Sequence, residues 1–274
     1  MPARTLYASQ SCTIKTNAGT TYDELAVESA SMENTIPFED VFILGKLGSV
    51  DRRQKEFATC SADVKIIHNN GGTDMGTVID ALTGEAIGGS QATVSVAPNG
   101  FTMRGILSSA TISASVGEFL STDLSFAGVG TGALVDGSTI TGVGGAGSQP
   151  ANLTSVTPYD SSDITLSAGS GVNSATVTFD FPTETVTNLG SAITGTQEAI
   201  ESGNVVVGKP PFSCSIALEG TAVDNTTPIS SITLGDIAVT LTDGKVTSSS
   251  FSQAVGDVGA TYSATTEGSS FTVA

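Results

Sequence analysis

Side chains able to do chemistry are few in this sequence, and their spacing suits little of it. His68 is the only histidine among 274 residues. Cys12, Cys60 and Cys214 are an odd set with no C-x-x-C pair, so their simplest role is that of small buried hydrophobes. A zinc site built on them would need His68 as its fourth ligand, and no metal-ligand spacing supports it. The acidic pairs Glu39–Asp40 and Asp160/Asp163 could bind calcium, but no D-x-D-x-D-G loop accompanies them and they read as solvated surface. The glycine-rich stretches "GTGALVDGST" (130–139) and "GVGGAGSQ" (142–149) lack the strand–loop–helix setting of a phosphate cradle. Neither a G-x-S-x-G elbow nor a Walker loop occurs. The expectation is a chain with no catalytic residue, no metal and no cofactor, and hence no enzyme.

One dense basic run remains. "DRRQKE" (51–56) holds Arg52, Arg53 and Lys55 out of only 10 basic residues, against 27 acids and a formal net charge of −17. That balance argues against gripping a phosphate backbone, which takes clustered cations. A compact basic loop on so acidic a chain suits solvent, or docking on the acidic face of another copy. No apolar segment of signal-peptide length opens the sequence, and no run of about 18 apolar residues occurs. A cytoplasmic origin and no membrane partner are expected.

The elements that position these residues are predicted to be strands. With 39% hydrophobic residues, 14% charged, 5% aromatic and 32 glycines, the composition favours short strands and tight turns over helix bundles. Val94 and Val96 alternate with Thr93 and Ser95, and Ala110, Ile112, Ala114 and Val116 with Thr111, Ser113 and Ser115. Asn99-Gly100, Asp243-Gly244 and Asp136-Gly137 are two-residue hairpin signals. One helix is expected over 72–85, with Met75, Val78, Ile79 and Leu82 on one face, Thr73 or Asp74 as N-cap and Gly84 past its end. A weaker helix is expected over 196–202, and a short turn over 226–236.

Five blocks recur in order along the two halves. Residues 7–19 face 159–171, and 24–45 face 174–190. Residues 56–66 face 210–220, with Cys60 opposite Cys214. Residues 92–105 face 237–249. "SVGEFLSTDLSFAG" (115–128) faces "AVGDVGATYSATTEG" (254–268), with Gly117-Glu118 opposite Gly256-Asp257 as turns entering a strand. A duplication follows, with domains at 1–149 and 150–274. The first includes an extra hairpin and linker over 129–149, and the glycine-rich stretch runs on through 142–158. In 118–126 one face holds Leu120, Leu124 and Phe126, and the other holds Ser121, Asp123 and Ser125 beside Phe119. In 259–267 the polar face is Thr261, Ser263, Thr265 and Glu267.

The segment "VTLTDGKVTSSSFSQAVGDVGATYSATTEG" (239–268), with its partner at 94–128, resembles the tail tube proteins of tailed bacteriophages. The resemblance implies an all-β fold: tandem β-sandwich or barrel domains with one or two flanking helices and long hairpins lining a lumen. Family members stack as six-membered rings, so a duplicated chain would form a homotrimeric ring. It implies a structural virion protein of a long noncontractile tail, assembled in the host cytoplasm and passing double-stranded DNA without binding it. Tape-measure and tail terminator proteins would be further partners. Ser121, Asp123, Ser125, Thr261, Ser263, Thr265 and Glu267 become channel-lining candidates, and Arg52, Arg53 and Lys55 ring-to-ring contact candidates. The rival reading is a capsid decoration or other Ig-like surface interaction protein.

Overall fold

Alternating small polar and apolar residues put most of the described backbone in extended strands. The computed structural model describes residues 11–23, 25–54, 57–69, 73–97, 100–130, 133–134, 164–166, 170–186, 205–223, 226–253 and 260–274. In chain order the first half contributes β1 (Ser11–Lys15), β2 (Thr21–Tyr22), β3 (Ala26–Thr35), β4 (Phe38–Val41), β5 (Asp51–Gln54) and β6 (Thr59–Ile67). Helix α1 (Met75–Gly88) follows, then β7 (Ala92–Ala97), β8 (Phe101–Ser115), β9 (Ser121–Val129) and β10 (Ala133–Leu134). The second half contributes β11 (Ile164–Leu166), β12 (Ser170–Asp180), β13 (Thr183–Val186), β14 (Val205–Gly208) and β15 (Ser213–Ala222). It ends with β16 (Ser231–Leu234), β17 (Ile237–Leu241), β18 (Lys245–Ser252), β19 (Thr261–Gly268) and β20 (Phe271–Val273). The fold is all-β with one flanking helix among the described residues.

The backbone of the architecture is an antiparallel run of eight strands, β3–β6–β9–β8–β12–β15–β19–β18. β8 also belongs to a second layer. Its first residues pair with β7 and β10, and only from Ile106 onward does it pair with β9. The crossing falls at Gly105, where a Cβ would lie 2.8 Å from the Ala127 carbonyl oxygen. The second half has a comparable outer layer, β11–β16–β17–β20. One face of the eight-stranded run is buried, with Val64, Ile66, Leu124, Phe126, Ile112, Val177, Phe179 and Ile216 at most 1% exposed. Each such side chain contributes roughly 1.5–3 kcal/mol through removal from water.

The two groups of four strands share their register in detail. Cys60 lies opposite Gly128, and Cys214 opposite Gly268. A bulge leaves Glu28 out of the β3·β6 ladder and Asn173 out of the β12·β15 ladder. Another leaves out Ser108 between β8 and β9, and Thr247 between β18 and β19. The two bulge hydroxyls even make matching bonds: Ser108 Oγ donates to the Ser125 carbonyl (3.0 Å) and Thr247 Oγ1 to the Thr265 carbonyl (3.4 Å). Hairpin β4·β5 follows β3, and hairpin β13·β14 follows β12.

The helix differs from its sequence expectation at its end. Asp74 is the N-cap, its side chain accepting the Thr77 N–H at 3.2 Å. Gly84 is internal, and the stop is Gly89 in the left-handed conformation, with φ 71°. Ala86, 0% exposed, continues the buried stripe one turn further than Leu82, so the helix runs on to keep that packing. Asp243-Gly244 does not close a hairpin. β17 and β18 lie in different sheets, and the Asp243 carboxylate instead accepts from Ser269 Oγ, the Ser269 N–H and the Ser270 N–H. The Ser269 hydroxyl and Ser270 amide hold that carboxyl below the usual carboxylate range. The hairpin of this half is β16·β17, turning at Gly235 (φ 60°), where the sequence suggested only a short turn. Hence 92–105, which forms the β7·β8 hairpin, has no counterpart at 237–249. Gly117 (φ 84°) makes the expected turn into β9. Asn99, Asp136-Gly137, the linker, the 196–202 helix and Gly256-Asp257 lie outside the described residues.

Replacing Phe126 by Ala is expected to lower unfolding free energy by about 3–5 kcal/mol, because it empties a fully buried position. Ser121→Ala, on the opposite face, should stay within about 0.5 kcal/mol. Urea denaturation of both decides it; similar values would contradict the assignment of the two faces.

Candidate assembly interface

The uncovered face of the eight-stranded run is polar in continuous rows. One row crosses every strand: Lys245, Glu267, Ser215, Thr178, Thr111, Asp123, Lys65 and Ser29. The next joins Thr265, Ala217, Thr176, Ser113 and Ser121 in the same way. The period-two pleat therefore puts all seven predicted lining residues, Ser121, Asp123, Ser125, Thr261, Ser263, Thr265 and Glu267, on this one face. Leu120, Leu124 and Phe126 point the other way and are buried. Glu33, Asp63, Asp123, Asp180, Glu219 and Glu267 outnumber Lys65 and Lys245 here. Lys65 pairs with Glu28 at 2.8 Å, and Ser125 Oγ donates to Asp63 at 2.6 Å. Glu28, by hydrogen bond and charge, raises the Lys65 ammonium above its ordinary range.

The run ends in β3 and β18, and no described strand flanks either on its outer side. Both are exposed on both faces over most of their length. Phe251 on β18 is 58% exposed and lies against Tyr262, with 5.4 Å between ring centroids. Of the basic run, Arg52 sits on the β4·β5 hairpin. Its guanidinium lies 5.3 Å from the Phe38 ring centroid and 3.6 Å from Asp40, with both charges well exposed. Arg53 is opposite Glu39 in the ladder, and Lys55 lies outside the described residues. The hairpin tip carries Phe42, Ile43, Leu44 and Leu47, all exposed, which the sequence reading passed over.

His68, the lone histidine, makes the one arrangement with a catalytic look. Its Nδ1–H donates to Asp236 Oδ1 (3.2 Å), and Nε2 accepts from the Thr122 hydroxyl (2.6 Å). Hydroxyl, imidazole and carboxylate stand in the order of a nucleophilic triad. However, Thr122 and His68 are both 0% exposed, so a substrate has no access to the hydroxyl. Its role is to tie the halves together. Asp236, in the β16·β17 turn, also accepts the Met75 N–H at the helix start (2.7 Å). A Cβ on Gly76 would lie 2.5 Å from the Asp236 carbonyl oxygen, so the fit needs glycine there. The partners are 54 and 168 residues from His68, beyond any local motif.

Cys12, Cys60 and Cys214 are buried and in no disulfide, and burial pushes the Cys12 and Cys214 thiols up to about 12. Among the described residues no group of three or more His, Cys, Asp or Glu could hold a metal, and no helix is long and apolar enough to cross a membrane. No protein-family model matches this chain, and no curated protein matches it.

Burial pushes the Asp236 carboxyl up, but hydrogen bonds from His68 and the Met75 amide outweigh it and hold it below its ordinary value of 3.8. Its contribution to stability is therefore complete above that pH and is lost as acid titrates the folded carboxylate. Asp236→Ala strands a buried His68 N–H and the Met75 N–H, and is expected to cost about 1–3 kcal/mol at pH 7. Thermal melts should show this deficit shrinking below about pH 3.8, where the parent also loses the interaction. A constant deficit from pH 7 to pH 3 would contradict the pairing.

Proposed function

We propose that this chain is a tail tube subunit: three copies close into a ring, and rings stack into a conduit for DNA. The observation that supports it is the seam between β8 and β12. β8 occupies in the first four-strand group the place β18 occupies in the second, and β12 occupies the place of β3. The shared bulges and the Cys–Gly pairings fix these equivalences residue by residue, which we read as a duplication with domains 1–149 and 150–274. The seam thus joins one group to the next inside a chain, and the outer edges β18 and β3 can make the same joint between chains. Repetition of that joint removes both exposed edges of the eight-stranded run.

The joint has a definite register. The seam pairs Thr111 with Thr178 and Ile112 with Val177. Transferred to the outer edges, it puts Ser250 opposite Glu33 of the next copy, and Phe251 opposite Met32. Phe251 would then be covered and gain a thioether contact. Eight strands from each of three copies give a barrel of twenty-four. That is wider than the 16–18 strands that already leave an aqueous channel. The polar rows would face the lumen. Three copies at −17 each carry −51 per ring, a field that repels phosphates and leaves DNA to slide. Tape-measure and tail terminator proteins are the further partners this role implies.

Glu33→Cys combined with Ser250→Cys tests the register, since paired Cα atoms of about 4.5–5.5 Å suit a disulfide. The native thiols are buried and should not compete. Oxidation of the concentrated protein is expected to give covalent species up to a trimer. A monomer alone, or a ladder running past three, would contradict closure by three copies. Stacked rings in stained specimens should repeat at roughly 40 Å, the height of about 10–12 extended residues.

A further inference from the structure

The β13·β14 hairpin of the second half is seated on the first half. β14 packs against β8, β9 and α1, and Val206 is only 3% exposed. Val206, Thr183 and Thr185 share a small cleft with Thr35, Thr59, Ala127 and Gly128. The corresponding hairpin of the first half, β4·β5, packs on no comparable set of strands among the described residues. Phe38 is 51% exposed and the Arg52 side chain 70%.

The register equivalences identify the missing seat. Thr35, Thr59, Ala127 and Gly128 correspond to Asp180, Ser213, Glu267 and Gly268. These four line one cleft of about 630 Å³, open to solvent and walled by Pro182 and Phe212. On the hairpin side, Val206 corresponds to Arg52. The internal seat sets valine against threonine and alanine, with Glu33 the one charged residue among its lining. The vacant one sets Asp180 and Glu267 where a hairpin would bring an arginine, with Asp243 a third carboxylate in the same lining. Lys209 and Lys245 also line the cleft, but Lys209 pairs with Glu184 at 2.9 Å, and Lys245 stands opposite Glu267 in the ladder.

We propose that the β4·β5 hairpin of one copy docks in this cleft of the next copy in the same ring, with Arg52 between Asp180 and Glu267 and Phe38 covered against the proline wall. This rests on the ring reading above, and it places Arg52 at the contact between neighbours within a ring rather than between stacked rings. The charge difference also gives a sorting device. An arginine-bearing hairpin meets Asp180, Asp243 and Glu267 in this cleft but only Glu33 in the internal seat, which favours alternation of the halves around the ring.

The test uses the full-length protein and three variants, Arg52→Glu, Glu267→Arg and the two combined, with assembly followed by light scattering. Each single variant is expected to raise the concentration needed for assembly about tenfold, because it sets like charges together at the contact. The combined variant should recover most of that loss. Single variants that assemble like the parent, or a combined variant as poor as the sum of the two, would overturn the inference. Arg52 is exposed in the single chain, so folding should survive, and unchanged melting temperatures check this. The Glu33→Cys/Ser250→Cys trimer separates the two levels. If that trimer forms while the charge variants have no effect, only the hairpin docking fails. If no trimer forms, the ring and the docking fail together.

Discussion

An antiparallel strand pair satisfies its backbone groups on one side only, and everything in this molecule is arranged around where that pairing stops. The seam between β8 and β12 is the point at which it does not stop. Seven pairs of residues run across it, and through it two groups of four strands become one sheet. Had the halves packed face to face, as in a sandwich, four edges would remain and nothing would relate one edge to another. Joined edge to edge, they leave two, and the joint already made defines what the other two can accept.

The sheet separates stability from function by face. Its buried side is packed with Val, Ile, Leu and Phe against the helix and outer layers. Its other side holds rows of hydroxyls and carboxylates that face away from the core. The His68–Asp236 bond and the Met75 amide belong to the first task. They fasten the helix of one half to a turn of the other, so the two groups hold a fixed angle. In the proposed ring such a tie would matter, since an error in angle at each joint accumulates around the circle.

Much of this was legible because period-two patterning is local. Leu124 and Phe126 against Asp123 and Ser125 assigns both faces of β9 without any knowledge of its neighbours. Cys60 and Cys214, set opposite each other in the sequence, both stand across from a glycine in their ladders. Other features have no local trace. Asp243-Gly244 carries a strong turn signal, yet the strands on either side leave for different sheets, and the aspartate serves a distant turn. Gly84 carries a local stop signal, but the packing of Ala86, which no local propensity encodes, carries the helix on to Gly89. His68 was unreadable, since its partners come from β9 and from the far half. The vacant cleft needed the register, because its meaning lies in a comparison of Arg52 with Val206 that sequence spacing alone does not suggest.

The central claim is that identical joints inside and between chains close one ring. Image reconstruction of the concentrated protein from electron micrographs tests it most directly. The expected result is a ring of three chains with pseudo-sixfold symmetry, in which β18 of each copy pairs antiparallel with β3 of the next around one continuous barrel. A ring or filament in which β3 and β18 remain at the surface, or a protein that stays monomeric at every concentration, would contradict it.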